Sequence, residues 1–340
     1  MGQDTRIPMK ALLSKHPGGP ETLVLDDIPE PVPGPREVRI AVRACGVNYP
    51  DLLIIQDLYQ YKPPRPFAPG AEIAGVVDAV GDGVEHVRVG DRVLLSPVRS
   101  GMAEKAVGLA SNCWKIPDTM PFDEAAALLM TYGTSQHALK DRAQLRSGET
   151  LLVLGAAGGV GLAAVELGKA MGARVVAAAS SAEKVALARA HGADEGVQYP
   201  VAPLDKTQAR ALTDRFKAAC GADGAQVIYD GVGGDYTEAA LRAIGWQGRH
   251  LVVGFTAGIA KLPLNLPLLK SCQIIGVFWG EFTTRYPALH AANVAALMTL
   301  YKDSRIKPAV TERFPLARGA EAIARLGARE ARGKLVVVID

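Results

Sequence analysis

The sequence predicts an α/β protein in which a doubly wound, parallel-sheet domain is inserted into a second, mainly β domain. Three observations support this prediction. A glycine-rich turn joins an apolar strand to a helix in the middle of the chain, short strands broken by Gly and Pro precede it, and another apolar strand ends the chain. At 340 residues the chain is long enough for two domains.

The composition is that of an ordinary globular protein and argues against several classes of function. Apolar residues make up 49% and charged residues 21%, and a net charge of +3 is too small to indicate binding to nucleic acid or to an anionic membrane. The four cysteines are far apart and have no metal-ligand spacing, which fits free thiols in a reducing compartment. We see neither an apolar signal region nor a membrane-spanning segment, so we expect a cytoplasmic protein.

The glycine-rich turn follows the apolar run Leu151–Leu154, which is typical of a buried parallel strand. Glycines permit a tight turn and a close approach of the backbone to a ligand, and the helix expected from about Val160 to Met171 directs its first N–H groups toward a bound anion. The pattern favours a pyrophosphate site, although a turn without a ligand has the same glycines. The residues assigned to this site are Ala157, Gly158, Gly159, Val160 and Gly161.

The next strand, Arg174–Ala179, indicates which nucleotide binds. An NAD-preferring site has Asp or Glu near the end of this strand to bind the ribose 2′-OH, whereas this strand ends in three alanines. Ser180, Ser181 and Lys184 follow, and two hydroxyls and a cation suit a 2′-phosphate. In the alternative interpretation, Ser180 is the N-cap of the next helix and Lys184 is a solvated helix residue. The two interpretations are compatible, because an N-cap position is also an anion site. We therefore expect NADPH.

The other predicted elements divide the chain into two domains. The final strand is short and apolar, and we expect it to complete the sheet of the first domain. The first domain then comprises residues 1–131 and 276–340, and the nucleotide-binding domain comprises residues 132–275. The predicted strands are Met9–Ser14, Glu37–Ala44, Ala71–Val80, Arg92–Leu95, Gln226–Asp230, Arg249–Phe255, Cys272–Phe278, Ala309–Phe314 and Lys334–Ile339, and the predicted helices are Asp123–Leu139, Tyr236–Ala243, His290–Tyr301 and Arg318–Leu326.

Three motifs, GAAGGVG, GVNYPDLL and PGAEIAGVVDAVG, occur in an order and spacing that resemble the medium-chain dehydrogenase/reductase superfamily. Within it the chain is similar to the zinc-independent quinone oxidoreductase branch, which includes ζ-crystallin. The resemblance implies a GroES-like, partly open barrel domain and a Rossmann domain that binds NADPH. It also implies a homodimer that pairs through the edge of the Rossmann sheet, for which Cys272–Phe278 is the candidate strand.

Two positions depart from the zinc-dependent alcohol dehydrogenases of this superfamily. Asn48 stands where those enzymes have a cysteine ligand, and Ala71, before Glu72, stands where they have a histidine ligand. Neither side chain supplies the thiolate or imidazole that zinc prefers. We therefore expect no catalytic metal.

The resemblance also implies roles for individual residues. Asn48 is expected near the nicotinamide and the substrate as an oxyanion partner, Tyr59 in the substrate cleft, and Thr134 near the nicotinamide amide. A turn asparagine, a core tyrosine and a structural mid-helix threonine are the respective alternatives. The proton is expected to come from water or from Tyr59. The remaining residues expected at the cofactor are Tyr199, Gly231, Val232, Phe255, Thr256, Phe278, Trp279, Gly280, Gly333 and Lys334, although a Lys near a terminus is usually solvated.

No histidine falls in a recognisable catalytic arrangement, and His137 is interpreted as structural. The expected activity is NADPH-dependent hydride transfer to a quinone or another conjugated carbonyl, which delocalises the incoming charge itself and needs no metal. An enoyl-thioester reductase, with Lys62, Arg65 and Arg285 as a possible basic rim, is one alternative. A non-enzymatic NADPH-binding protein, crystallin-like or nucleic-acid-binding, is the other.

Overall fold

The computed structural model describes residues 7–96 and 100–340. It consists of two compact units, one formed by Met1–Met130 with Pro308–Asp340 and the other by Thr131–Lys307. The strands in the described residues are β1 (Pro8–Leu13), β2 (Val24–Pro29), β3 (Glu37–Gly46), β4 (Ile73–Val80), β5 (Arg92–Leu95), β6 (Lys105–Leu109), β7 (Cys113–Lys115), β8 (Thr150–Leu154), β9 (Arg174–Ala179), β10 (Glu195–Gln198), β11 (Ala225–Asp230), β12 (Ile244–Val252), β13 (Gln273–Gly276), β14 (Val310–Pro315) and β15 (Lys334–Val338). The α-helices are α1 (Tyr49–Ile55), α2 (Phe122–Ala125), α3 (Thr134–Gln136), α4 (Gly159–Ala170), α5 (Ala182–Ala190), α6 (Lys206–Cys220), α7 (Asp235–Leu241), α8 (Asn265–Lys270), α9 (Trp279–Arg285), α10 (Pro287–Lys302) and α11 (Gly319–Gly327).

The first unit is built around a seven-stranded sheet in the order β14-β15-β3-β4-β5-β7, with β6 paired to β3. Strand β3 is central because it pairs antiparallel with β4, β6 and β15. The last strand of the chain therefore completes this sheet, as the sequence predicts. The sheet remains open, since β14 and β7 lie at its two ends. Its inner face buries aliphatic side chains such as Ile40, Ile73 and Val337.

The second unit is a parallel six-stranded sheet in the order β10-β9-β8-β11-β12-β13. This is the order of a doubly wound fold, in which the chain starts at the centre, winds to one edge and then returns to wind to the other. Strand β8 is buried at all five positions, which explains why its sequence does not alternate between apolar and polar residues. The predicted fold class is confirmed.

The second domain boundary lies at residues 307/308, and not at 275/276 as expected. Residues after β13 stay in the second unit because α9 and α10 pack there. The Trp279 indole lies against Gly133, where an added Cβ would come within 2.9 Å of the ring, and Asn293 of α10 bonds Asp141 and Lys140. The chain returns to the first unit only after α10.

Two predicted elements differ in detail. The helix expected over Asp123–Leu139 is divided into the short α2, two π-helical segments at Leu129–Gly133 and His137–Arg142, and α3 between them. The strand expected to end at Phe255 ends at Val252, because the following residues leave the sheet and bond to a neighbouring loop.

Several elements were not predicted from the sequence, among them α1 and the long helix α6. A capping box begins α6, in which Asp205 and Gln208 each accept a bond from the other's backbone N–H. That pattern of Asp followed by Gln three positions later is present in the sequence. No helix in residues 7–96 and 100–340 is long and apolar enough to cross a membrane.

Candidate functional site

In the second unit, the glycine-rich turn has the geometry of an anion site. Gly155 has a φ of +68°, and a Cβ on Gly161 would lie 2.1 Å from the Gly155 carbonyl oxygen, so both positions require glycine. Helix α4 follows with Gly158 as its N-cap. The N–H groups of its first turn have no carbonyl four residues earlier within the helix, and the helix dipole adds positive potential there. These groups can bind a phosphate.

Two loops meet at the carboxyl ends of β11 and β12, where ligands of open α/β sheets bind. The Ala257 N–H donates to the Val232 carbonyl at 2.7 Å, and the Gly234 N–H donates to the Gly258 carbonyl at 2.7 Å. The Thr256 hydroxyl lies 3.4 Å from the Gly231 carbonyl oxygen. The structure thus brings together four of the residues assigned to the cofactor, namely Gly231, Val232, Phe255 and Thr256.

A cavity of about 510 Å³ opens beside the ends of β9 and β10. Ser180 and Tyr199 line it, as do two residues of α6 that the sequence did not single out, Gln208 and Arg215. Arg215 donates from Nη1 to the Gln198 carbonyl at 3.2 Å, and this bond holds the guanidinium at the edge of the cavity. Neither Asp nor Glu is among the lining residues.

The serine and lysine after β9 are arranged differently from the sequence prediction. Ser181, and not Ser180, is the N-cap of α5, with its hydroxyl accepting from the Lys184 N–H at 3.3 Å. Ser180 lines the cavity, whereas Lys184, in the first turn of α5, does not. Arg215 comes from a helix 35 positions beyond Ser180, so no local pattern connects it with this site.

The helix that carries Thr134 is attached to the glycine-rich turn. The Ser135 hydroxyl donates to the Val160 carbonyl and pairs with the Tyr229 hydroxyl, both at 2.9 Å. Thr134 itself is half-buried. His137 bonds Asp141 at 2.9 Å and stacks on the Phe282 ring at 3.9 Å, so its role is structural, as predicted.

The two aromatic residues expected to line the cleft differ in exposure. Phe278 is 57% exposed, whereas Trp279 is 6% exposed and packs against Gly133 and His290. Gly280 follows in the first turn of α9. Trp279 is therefore packed inside the unit, whereas the Phe278 ring is accessible.

In the first unit, Asn48, Glu72 and Lys334 form a buried polar cluster. Lys334 Nζ donates to Asn48 Oδ1 at 2.5 Å and to Glu72 Oε2 at 3.1 Å, and Asn48 Nδ2 donates to Glu72 Oε2 at 3.2 Å. Glu72 Oε1 accepts from the Met130 N–H at 2.9 Å. Lys334 is 5% exposed, so the solvated interpretation of this lysine is wrong. Gly333, with a φ of +66°, turns the chain into β15.

Asp51 lies beside this cluster at the start of α1. Its carboxylate accepts from the Asn48 N–H at 2.7 Å and the Gly70 N–H at 3.0 Å. Burial raises the pKa of Asp51 to about 6, while the two N–H bonds and the Lys334 charge oppose that rise. Tyr59 follows α1, and burial together with the Asp51 charge raises the pKa of its phenol.

The residues of the first unit do not fit zinc. The amide and the carboxylate at the position of a zinc site, Asn48 and Glu72, are already bonded to an ammonium group. In residues 7–96 and 100–340, no three His, Cys, Asp or Glu side chains come together as metal ligands would.

A larger hollow of about 670 Å³ lies at the opposite edge of the parallel sheet. Thr150 and Arg174, which begin β8 and β9, line it together with Arg146. Because it opens at the amino ends of the strands, it lies away from the glycine-rich turn, and we do not assign the cofactor to it.

Comparisons with known proteins agree with this arrangement. Residues 34–137 match the model of the alcohol dehydrogenase GroES-like domain, and residues 159–294 match that of the zinc-binding dehydrogenases. The chain is 37% identical to bovine quinone oxidoreductase-like protein 2 over 93% of this chain and 88% of that protein. It is 32% identical to human quinone oxidoreductase over 97% of this chain and 98% of that protein.

Solved structures are similar along almost the whole chain. The mycobacterial protein Rv1454c, solved in complex with NADPH, has a TM-score of 0.89 and 32% identity, with 97% of this chain and 99% of that chain covered. A Pseudomonas syringae quinone oxidoreductase has a TM-score of 0.85 and 29% identity, with 97% and 99% covered. The chain is therefore an oxidoreductase that belongs to the zinc-independent, quinone oxidoreductase-like branch of the medium-chain dehydrogenase/reductase superfamily.

Proposed function

We propose that this protein uses NADPH to reduce a quinone or another conjugated carbonyl acceptor without a metal. The observation that carries the proposal is the cavity at the end of β9. It offers the Ser180 hydroxyl, the Tyr199 phenol and the Arg215 guanidinium, and no carboxylate lines it. A 2′-phosphate is stabilised by such donors, whereas an NAD-preferring site needs an acidic residue for the ribose. The NADPH complex of the mycobacterial relative supports the same choice.

Two residues of the first unit are proposed to act on the acceptor. NADPH, when bound, supplies the hydride. A quinone or enone spreads the incoming negative charge over its own conjugated system, so positioning and hydrogen bonding are sufficient for catalysis. The Tyr59 phenol can donate the proton, and Asn48 can hydrogen-bond the acceptor or the nicotinamide. The similarity of the chain to human quinone oxidoreductase supports a quinone as the acceptor.

An enoyl-thioester substrate is less well supported, because two of the three candidate rim cations have other partners. Arg65 donates to Asp57, to the Ile55 carbonyl and to the Ser14 hydroxyl. Arg285 pairs with Glu281 at 2.6 Å. A guanidinium with such bonds offers little to the phosphates of a coenzyme A ester.

We also propose that the protein is a homodimer that pairs through β13. This strand is at the edge of the parallel sheet, and unpaired edges readily add a strand from another chain. Apolar side chains are exposed beside it, namely Leu264, Leu268, Leu269 and Ile274. Light scattering should give twice the chain mass, and Leu268→Glu should yield monomers. A monomeric wild-type protein at micromolar concentration contradicts this proposal.

A cytoplasmic location is proposed on the state of the cysteines. Cys45, Cys113, Cys220 and Cys272 are all free thiols, and the first three are buried. Fractionation of the cells that produce the protein tests this proposal.

The main experiment measures NADPH consumption with 9,10-phenanthrenequinone, with 1,4-benzoquinone, with acryloyl-CoA and without an acceptor, and repeats each assay with NADH. We expect rapid oxidation of NADPH with the quinones and slow oxidation with NADH. A protein that binds NADPH and reduces no acceptor would be a binding protein, and a preference for acryloyl-CoA would establish the thioester reductase.

A further inference from the structure

We propose that Lys334 is a positioning residue that holds the Asn48 amide in one orientation, so that Asn48 accepts a hydrogen bond from its ligand and donates none. The inference rests on the proposed function and deepens it. Lys334 begins β15 and is 5% exposed, and Asn48 ends the turn after β3 and is 8% exposed. These two residues are separated by 286 positions, and the antiparallel pairing of β15 with β3 brings them together.

The orientation of the amide follows from the chemistry of its partners. An ammonium group only donates hydrogen bonds, and a peptide carbonyl only accepts them. Lys334 Nζ lies 2.5 Å from one end of the Asn48 amide, and the Gly46 carbonyl oxygen lies 3.1 Å from the other. Exchanging the oxygen and nitrogen of the amide would place NH₂ against the ammonium and oxygen against the carbonyl. Only the observed orientation satisfies both partners.

The bonds within the cluster leave the Asn48 side chain with the capacity to accept one more hydrogen bond. Nδ2 has two hydrogens, and it donates to the Gly46 carbonyl at 3.1 Å and to Glu72 Oε2 at 3.2 Å. Oδ1 has two lone pairs, and Lys334 uses one of them. Asn48 and Asp51 are arranged as a capping box, but the Asp51 N–H bonds the Asn48 backbone carbonyl at 3.0 Å and makes no hydrogen bond to the side chain. The free lone pair accepts from a ligand that has an O–H or N–H group, such as a hydroquinone hydroxyl or a carboxamide. The expected role of Asn48 as an oxyanion donor is therefore not compatible with its bonds.

Glu72 is the third member of this cluster, and we call Lys334, Asn48 and Glu72 together the clamp. Glu72 explains why a charged donor is tolerated in a buried position. Its Oε2 receives both the Lys334 ammonium and the Asn48 amide, while the Met130 N–H holds Oε1. The carboxylate neutralises the buried ammonium and is itself immobilised. The clamp acts through position, since the charges of Lys334 and Glu72 cancel and leave no net cation to stabilise an oxyanion.

The first test is the kinetics of Lys334→Met with 9,10-phenanthrenequinone, together with the NADPH dissociation constant from fluorescence titration. We expect kcat to fall by about 10²-fold, as for a misplaced catalytic group, with less than a threefold change in the NADPH dissociation constant. A kcat within threefold of wild type overturns the proposal. A dissociation constant that rises as much as kcat falls also overturns it, because Lys334 is then a cofactor contact.

The second test reads the amide directly and does not depend on activity. In ¹⁵N-labelled wild-type protein, the side-chain NH₂ of Asn48 should exchange with solvent at least about tenfold more slowly than an exposed asparagine, and Lys334→Met should remove this protection. If the wild-type enzyme reduces no acceptor and this pattern is still observed, the proposed function fails and the clamp stands. Equal protection in wild type and variant overturns the clamp.

Lys334→Met leaves the Glu72 carboxylate without its cation, so a second variant guards against a loss of folding. Lys334→Met with Glu72→Gln removes both charges and is the second variant. We expect it to fold and still show the low kcat, since Asn48 Oδ1 then has no donor and only the Gly46 carbonyl still bonds the amide. Recovery of kcat in this double variant overturns the positioning role, and Glu72→Gln alone, which retains the bond from Lys334 to Asn48, should lose much less.

Discussion

Each unit of this protein buries one fully partnered glutamate, and the two glutamates do different things. Glu72 in the first unit is bonded to Lys334, Asn48 and the Met130 N–H. Glu166 on α4 of the second unit accepts from the Tyr132 hydroxyl at 2.7 Å and from the Lys307 N–H at 2.8 Å, and it pairs with His191 at 2.5 Å.

Two of the three partners of Glu166, Tyr132 and Lys307, are at the ends of the second unit, and the third, His191, follows α5. The chain enters this unit at Thr131 and leaves it after Lys307, so Tyr132 and Lys307 lie beside the two crossings. One carboxylate therefore ties the beginning and the end of a 177-residue segment to the helix that follows the glycine-rich turn. Its role is architectural.

Burial and pairing of a charge therefore do not by themselves identify a functional site. Both carboxylates are buried and satisfied. The cluster around Glu72 includes Asn48, whose Oδ1 has a lone pair that Lys334 does not use, whereas the groups bonded to Glu166 hold parts of the second unit together. What distinguishes a site is the hydrogen-bonding capacity that remains after the fold has been satisfied.

The largest expected effect concerns Lys334, the charged partner of the buried Glu72. Lys334→Met should lower the free energy of unfolding by about 3–5 kcal/mol, because it leaves a buried carboxylate without its cation. Urea denaturation followed by tryptophan fluorescence measures this loss. The matched control is Lys10→Met, which removes an exposed pair with Asp27 and should cost much less, because solvent screens that pair. Equal losses in the two variants would show that the Lys334 pair is energetically no different from a surface pair.

A second prediction concerns Asp51, the titrating neighbour of Glu72. Its pKa is about 6 in the folded protein against 3.8 for the free side chain, so the folded state binds a proton more readily. The stabilisation is complete below pH 3.8 and is lost as the pH rises through about 6, on the order of 3 kcal/mol. Denaturation midpoints between pH 4 and 8 measure this slope, and Asp51→Asn should lack it. The same slope in both proteins would assign it to another group.

The third prediction concerns Glu166→Gln, which changes the buried glutamate of the second unit. The glutamine retains one acceptor, so we expect a loss of about 2 kcal/mol in the free energy of unfolding and a kcat within about twofold of wild type. Denaturation and steady-state kinetics of the same preparation measure the two quantities. A large fall in kcat at full stability would mean that Glu166 is not merely architectural.

The smallest expected effect tests the cavity in the second unit. Arg215→Ala should raise KM for NADPH about fivefold, roughly 1 kcal/mol, with little change for NADH, because an exposed guanidinium loses part of its charge-assisted bond to solvent screening. Lys184→Ala is the matched control on α5 and should change the ratio less. The reverse order would favour Lys184, as the sequence suggested, over the cation that lines the cavity.

Local patterns in the sequence were sufficient for much of the fold. The apolar run of β8, the glycines after it and the apolar strand at the end of the chain predicted the parallel sheet, the anion site and the discontinuous first unit, because each signal depends on neighbouring residues. The Asp205 capping box was equally local and could have located α6. The boundary at 307/308 could not be predicted, since it depends on how α9 and α10 pack.

By itself, the sequence determined the two-domain α/β architecture, the glycine-rich turn and the absence of cysteine and histidine at Asn48 and Ala71, because these are properties of residue type and spacing. Only the tertiary structure decided that Arg215 lines the cavity, that Trp279 is buried, and that Lys334 holds Asn48. The physical reason is the same in each case: these contacts join residues far apart in the chain, and their hydrogen bonds depend on distances that only strand pairing and packing set.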